Sequence, residues 1–205
     1  MKRFVRGALA LLGIAGLASA QDRKVELFVQ NTKHGVEMRA PVTAGKDQMW
    51  SAELDPKGPF FKDTAAKVSH RVDNFSVEVA IDRLEDPLRQ KWPDKITDLA
   101  KTYRENYVKP KDDGSAGNWK ECKVKSEDPK AKLQNLSGRG CMHHITLVDQ
   151  KDGKHDIIQY FVIASEVLYM VTVTFDEEGY KKYFAKEGQF ILGNIRRCKQ
   201  DKKKN

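Results

Sequence analysis

The densest group of side chains able to do chemistry is Cys141-Met142-His143-His144. On a strand, Cys141, His143, Ile145 and Leu147 share one face, while Met142, His144, Thr146 and Val148 share the other. The two histidines therefore point apart and cannot chelate one ion together. Cys141 and His143 could be joined by His70, which also lies on an apolar parity, to give a soft zinc or copper site. That trio requires two strands distant in sequence to become neighbours, and a hydrogen-bonded histidine beside a cysteine accounts for the same residues. A Cys141–His143 nucleophile pair is the thiol version of the same idea. Residues i and i+2 on a strand lie roughly 6–7 Å apart along the chain, so direct base–thiol contact is unfavourable, and an active thiolate also needs an accessible, electropositive position.

Other catalytic signatures are missing. Neither Gly114-Ser115-Ala116-Gly117 nor Ser137-Gly138-Arg139-Gly140 has the spacing of a nucleophile elbow. Asp112-Asp113-Gly114 and Asp152-Gly153 lack the further oxygen ligands of a calcium loop and read as turns. No catalytic residue and no cofactor is expected, and an enzyme using Cys141, His143 and His70 is the alternative to a binding function. A second alternative is a carrier for a small apolar ligand. Trp50, Phe60, Phe61 and Trp92 fall in or beside irregular segments, where a cluster of aromatics would mark a docking patch or the rim of an apolar pocket. Covering the sheet's edges is their plainer role.

The chain has 205 residues, 40% hydrophobic, 9% aromatic and 32% charged, with a mean hydropathy of −0.64. That profile excludes a multispan membrane protein, a fibre and a disordered acidic tail, and predicts one soluble domain. Lys2, Arg3 and Arg6 precede an apolar run from Gly7 to Ala18 and the small-residue triplet Ala18-Ser19-Ala20, the order of a secretory signal peptide. The run falls short of the roughly 20 residues that span a bilayer, and Gln21 stands where a lipoprotein would carry an acylated cysteine. The expected product is periplasmic or secreted, with a signal peptide over 1–20, a single domain over 21–198 and a disordered basic tail over 199–205. Without residues 1–20 the formal charge falls from +8 to +5, and residues 196–205 alone carry +5. A neutral body with a short basic terminus lacks the basic face of a nucleic-acid binder; the expected partner is a protein of the cell envelope or extracellular space.

Three cysteines in an exported chain allow one disulfide. Cys122 and Cys141 flank the turn-rich stretch 127–140, which favours that pair, and closing such a loop contributes roughly 3 kcal/mol. The rival, Cys141 with Cys198, would tie the C-terminal helix to the sheet. Asn74-Phe75-Ser76 and Asn135-Leu136-Ser137 match glycosylation sequons and read as chance in a chain whose leader suits a bacterium.

Periodicity places these residues on elements. Lys24 to Gln30 and Gly35 to Arg39 read as two short strands around a polar turn. Val68, His70 and Val72, then Phe75, Val77, Val79 and Ile81, alternate with polar neighbours and predict a hairpin turning at Asp73-Asn74. After Pro93, Ile96, Leu99, Ala100, Tyr103 and Tyr107 recur at helical spacing over 93–108. Cys141–Val148, Ile157–Ile163 and Val167–Phe175 predict an antiparallel meander. Tyr180, Tyr183 and Phe184, followed by Phe190, Ile191 and Ile195, predict a terminal helical region. The last two strands of the meander are apolar on both parities, so both faces of the sheet need cover. The expected fold is α+β, a single antiparallel sheet with a C-terminal meander and helices on both faces.

This order, from an opening hairpin with GVEMRAP (Gly35 to Pro41) through a central helix and a meander ending in YMVTVTF to a closing FILGNIRRC, resembles the PsbP-like superfamily over residues 24–198. Its members include the extrinsic oxygen-evolving subunit of photosystem II and a nuclear factor acting on the Ran GTPase. The resemblance implies an α/β/α sandwich used for binding or assembly without catalysis. It carries over no functional residue, because no functional motif of the family matches here.

Overall fold

A computed structural model describes residues 25–42, 49–57, 60, 64–82, 96–110, 114, 117–164 and 167–199. The expected leader, the start of the central helix at 93–95 and the tail from 200 onward lie outside these residues. The chain runs β1 (Val25–Asn31), β2 (Val36–Val42), β3 (Trp50–Leu54), β4 (Thr64–His70), β5 (Phe75–Asp82), α1 (Ile96–Tyr107), β6 (Trp119–Asp128), β7 (Arg139–Asp149), β8 (Lys154–Ala164) and β9 (Val167–Phe175). A C-terminal helical segment follows, made of α2 (Glu177–Gly179), a π-helix (Tyr180–Gly188) and α3 (Gln189–Gly193), and then β10 (Arg196–Arg197).

The strands form two antiparallel sheets, not the single sheet expected: β3-β4-β5-β9-β8-β7-β6, and β1-β2-β10. The opening hairpin stays out of the large sheet because other bonds hold both its turn and its edge. The buried Asn31 side chain donates to the Ala65 carbonyl (2.7 Å) and to Asp55 Oδ1 (2.8 Å). The free edge of β2 is taken by β10, with the Cys198 N–H donating to the Gly35 carbonyl at 3.0 Å. Gly35 turns the hairpin at φ +73°, a conformation that favours glycine. Val29, Val36, Met38 and Ala40 then share one buried cluster with Ala66 and Val68.

The meander forms as expected, with β7 and β8 longer than expected and β9 at its expected bounds. Its first turn is closed by Asp149, whose carboxylate accepts from the Lys151 and Gly153 amides (2.8 and 2.9 Å). The β4–β5 hairpin also forms, but β4 ends at His70 and leaves Val72 exposed in the turn. No residue of that turn is left-handed; it is held by the Asp73 N–H donating to His70 Nδ1 at 3.0 Å.

Opposite parities of the central strands feed different clusters. Tyr169, Val171, Val173 and Phe175 of β9 join Phe75, Val77, Val79 and Ile81 of β5 and Ile191, Leu192 and Ile195. Leu168 and Met170 join Ala80, Cys141 and Phe161, with Ile96, Leu99, Ala100 and Tyr103 of α1. A third cluster, Ile145, Leu147 and Ile157, is covered by Tyr107, Trp119 and Phe60. Each fully buried large side chain contributes about 1.5–3 kcal/mol. The helical region expected near the C-terminus forms as one continuous run over 177–193 with a π-helical middle, capped at its start by Asp176 Oδ1 accepting from the Gly179 amide (2.7 Å). At Gly188 a Cβ would stand 2.8 Å from Phe75 Cζ, so the residue permits close contact with the sheet.

Candidate functional site

On the α1 side of the sheet the apolar pattern is broken in register. Lys67 pairs with Glu78, Glu78 with Thr172, Thr172 with Gln159, Gln159 with His143 and His143 with Glu127. These pairings run from β4 to β6 as one polar row, between the cluster around Phe161 and the cluster around Ile157. Its four central members are 1% exposed or less, so every polar atom in it must find a protein partner or go without.

Gln159 organises the row. Its Nε2 donates to Thr172 Oγ1 (3.0 Å) and to the Tyr107 hydroxyl (2.6 Å), so its Oε1 is the acceptor facing His143 Nε2 at 2.7 Å. That arrangement places the histidine proton on Nε2 and leaves Nδ1 as a bare lone pair. Nδ1 has no hydrogen-bond partner among the described residues, and neither has Glu78 Oε1. Burial pushes the Glu78 carboxyl up to about 7, against the pull of Lys67. Burial lowers His143 to about 4, opposed by its bond to Gln159; the imidazole is neutral at physiological pH. Tyr107 is raised by the same loss of water.

A cleft of about 410 Å³ opens between α1 and the ends of β6 and β7. Asp98, Lys101 and Arg104 approach from the helix, Glu127 and Asp128 from β6, and His143 from β7. The helix residues share one face because 98, 101 and 104 follow one another at i, i+3 spacing. Arg104 and Glu127 form an ion pair across the cleft. Cys141 also lines it, with Sγ 3.6 Å from the Ile96 carbonyl, and burial raises its thiol to about 11. A thiol held in that state is not an activated nucleophile.

The expected metal trio does not assemble. Cys141 and His143 do share a face of β7, but His70 stands on β4, four strands away, roughly 19 Å at the usual strand spacing. It is occupied there by Trp50 and Tyr183, at ring separations of 5.1 and 4.4 Å. Among the described residues no three His, Cys, Asp or Glu side chains converge as metal ligands. The expected Cys122–Cys141 disulfide is also absent. Cys122 is registered against Leu147, six positions along β7 from Cys141 and so roughly 20 Å distant. Nor does Cys198 reach Cys141; its sulfur lies 3.8 Å from the Asn31 carbonyl.

Two of the four singled-out aromatics are structural. Trp50 is buried, edge-on to His70, Phe75 and Tyr183. Phe60 stacks on Trp119 and meets Tyr107 edge-on, bridging the two clusters that flank the polar row. Phe61 and Trp92 lie outside the described residues. Sequence reasoning isolated His143 but missed Glu78, Gln159 and Thr172. The available signal was a polar residue set directly between apolar ones, as in Val77-Glu78-Val79, Ile158-Gln159-Tyr160 and Val171-Thr172-Val173.

No family model and no curated protein matches this sequence. Solved structures do resemble it in shape. Cyanobacterial PsbP (CyanoP) from Synechocystis aligns at a TM-score of 0.56 with 11% identity, over 89% of this chain and 98% of that one. LpqN, involved in cell envelope biogenesis of Mycobacterium tuberculosis, aligns at 0.44 with 9% identity, over 85% and 91%. PA94 from Pseudomonas aeruginosa aligns at 0.38 with 9% identity, over 82% and 94%. The first of these, with TM-score above one half, establishes a PsbP-like α+β fold.

Proposed function

We propose that this PsbP-like chain is an exported, non-catalytic module that works by binding or assembly with a protein partner of the cell envelope or extracellular space. The observation that carries the reading is the state of Cys141 and His143. The thiol is raised to about 11 and the imidazole lowered to about 4, so the two do not form the thiolate and imidazolium of an activated nucleophile. Support for export comes from Lys2, Arg3 and Arg6, the apolar run and Ala18-Ser19-Ala20. No described helix is long and apolar enough to cross a membrane. In this reading residues 21–198 form one domain after cleavage of 1–20, and 199–205 trail as a solvated basic tail. The reading takes the sheet as sheathed on both faces, and the clustering of alternate β9 residues with α1 and with the C-terminal helical segment supports it.

The test is capture of envelope proteins on the immobilised chain 21–205, with metal analysis and a thiol count on the same preparation. The expected result is an equimolar partner, substoichiometric zinc and copper, and three titratable thiols. Stoichiometric metal lost on replacing Cys141 or His143 would overturn the reading in favour of a metal-dependent enzyme.

A further inference from the structure

Beneath the Arg104–Glu127 pair, the fold leaves one good acceptor unused. His143 lines the cleft, its Nε2 is committed to Gln159, and Nδ1 is the ring's one remaining polar atom, without a partner among the described residues. Nδ1 is closed to solvent in this structure, so a ligand hydroxyl reaches it by parting the Arg104–Glu127 pair, and the acceptor then gains the partner it lacks.

The charges around the cleft decide what kind of donor. Arg104 opposes and Glu127 favours a positive charge on His143, and Lys101 stands on the same wall as Arg104, so an ammonium meets charges of both signs. Asp98, Glu127 and Asp128 oppose an anion just as directly. What fits is a neutral molecule whose groups both donate and accept. The planar guanidinium of Arg104 and the carboxylate of Glu127 are suited to adjacent hydroxyls, one accepting from the arginine and the next donating to the glutamate. Ala100 and Cys141 offer apolar surface for the carbon skeleton. The cleft's volume lies within the range of small-molecule sites.

We propose that the cleft between α1 and the β6–β7 pair binds a neutral polyhydroxylated ligand, a saccharide, with His143 Nδ1 receiving one of its hydroxyls. This rests on the binding-module reading in that no bond is made or broken.

The test is a titration of ¹⁵N-labelled 21–205 with chitobiose, maltose and trehalose, with spermidine and citrate as charged competitors, followed by NMR. The expected result is saturable movement of amides in 97–104, 127–128 and 141–143 by at least one sugar, with the His143 Nδ1 signal moving toward that of a hydrogen-bonded nitrogen. The variant Arg104→Met with Glu127→Gln, which keeps the four buried members of the row, should weaken that binding about tenfold. His143→Leu should abolish it, and amide spectra of each variant report whether the fold is intact. The proposal is overturned if no sugar moves these signals, or if spermidine or citrate moves them more tightly than any sugar. That failure leaves the module reading standing, because partner capture is measured separately. Sugar bound and then hydrolysed would have the opposite consequence, upholding the cleft and removing the non-catalytic reading.

Discussion

On β9, Tyr169, Val171, Val173 and Phe175 meet the C-terminal helical segment, whereas Leu168, Met170 and Thr172 lie on the side of α1. The same strand thus builds two unlike surfaces. The first is apolar from β4 to β9, filled by aromatic and branched side chains. The second is cut by the row from Glu78 to His143, which buries a carboxyl and an imidazole with an orphan atom on each. An apolar surface stabilises without specifying a ligand; a buried polar row costs stability unless every member is met. The contrast separates a surface that holds the molecule together from the one on which the proposed binding cleft opens.

The largest effect is expected on the apolar surface. Phe75 is 1% exposed and wedged among Trp50, Tyr183 and Gly188, so Phe75→Ala should cost about 3–5 kcal/mol in urea unfolding. It should leave the His143 ring signals unchanged. If those signals moved as well, the two surfaces would not be separable units.

Next come the two buried titratable groups, which pull in opposite directions. Glu78 has a folded value of about 7 against an ordinary 4.5, so the folded state holds its proton more tightly. Its stabilising term is present at low pH and is lost as pH rises from 4.5 through 7. Glu78→Gln should match the parent in acid and exceed it by roughly 3 kcal/mol above pH 7. His143, with a folded value of about 4 against 6.5, behaves in reverse: its penalty grows as pH falls from 6.5 through 4. His143→Gln should therefore gain on the parent in acid. Unfolding curves from pH 4 to 8 check both, and difference curves of the same slope would refute the assignment of the row.

Much of this architecture was legible from residue types. The alternation in Phe75–Ile81, the helical spacing of Ile96 to Tyr107 and the apolar strands 157–175 correspond to observed elements. β6 was not, because Lys120, Glu121, Lys123 and Lys125 leave both parities of an edge strand polar and exposed. The second sheet depends on Asn31 bonding to Ala65 and Asp55, distant contacts that no local pattern announces. The candidate site was half visible. His143 stands out as a residue type, whereas Gln159 and Thr172 gain meaning only when register sets them side by side. Register also separates Cys122 from Cys141, which sequence spacing had placed close together.

The cysteines give the smallest and sharpest test of that register. Cys141 is buried under α1, while Cys122 is half-exposed on the edge strand. Cys141→Ser puts a hydroxyl into an apolar cluster and should cost about 1–3 kcal/mol. Cys122→Ser, at a position already open to water, should change stability by about 0.5 kcal/mol or less. A disulfide between them would make the two losses equal, each about 2–5 kcal/mol, with the double variant no worse than either single one. Residues far apart with no shared partner instead add, so the double variant should lose the sum of a moderate and a negligible cost. Equal, non-additive losses would return Cys122 to the neighbourhood of Cys141 and dismantle the β6–β7 pairing from which the cleft is built.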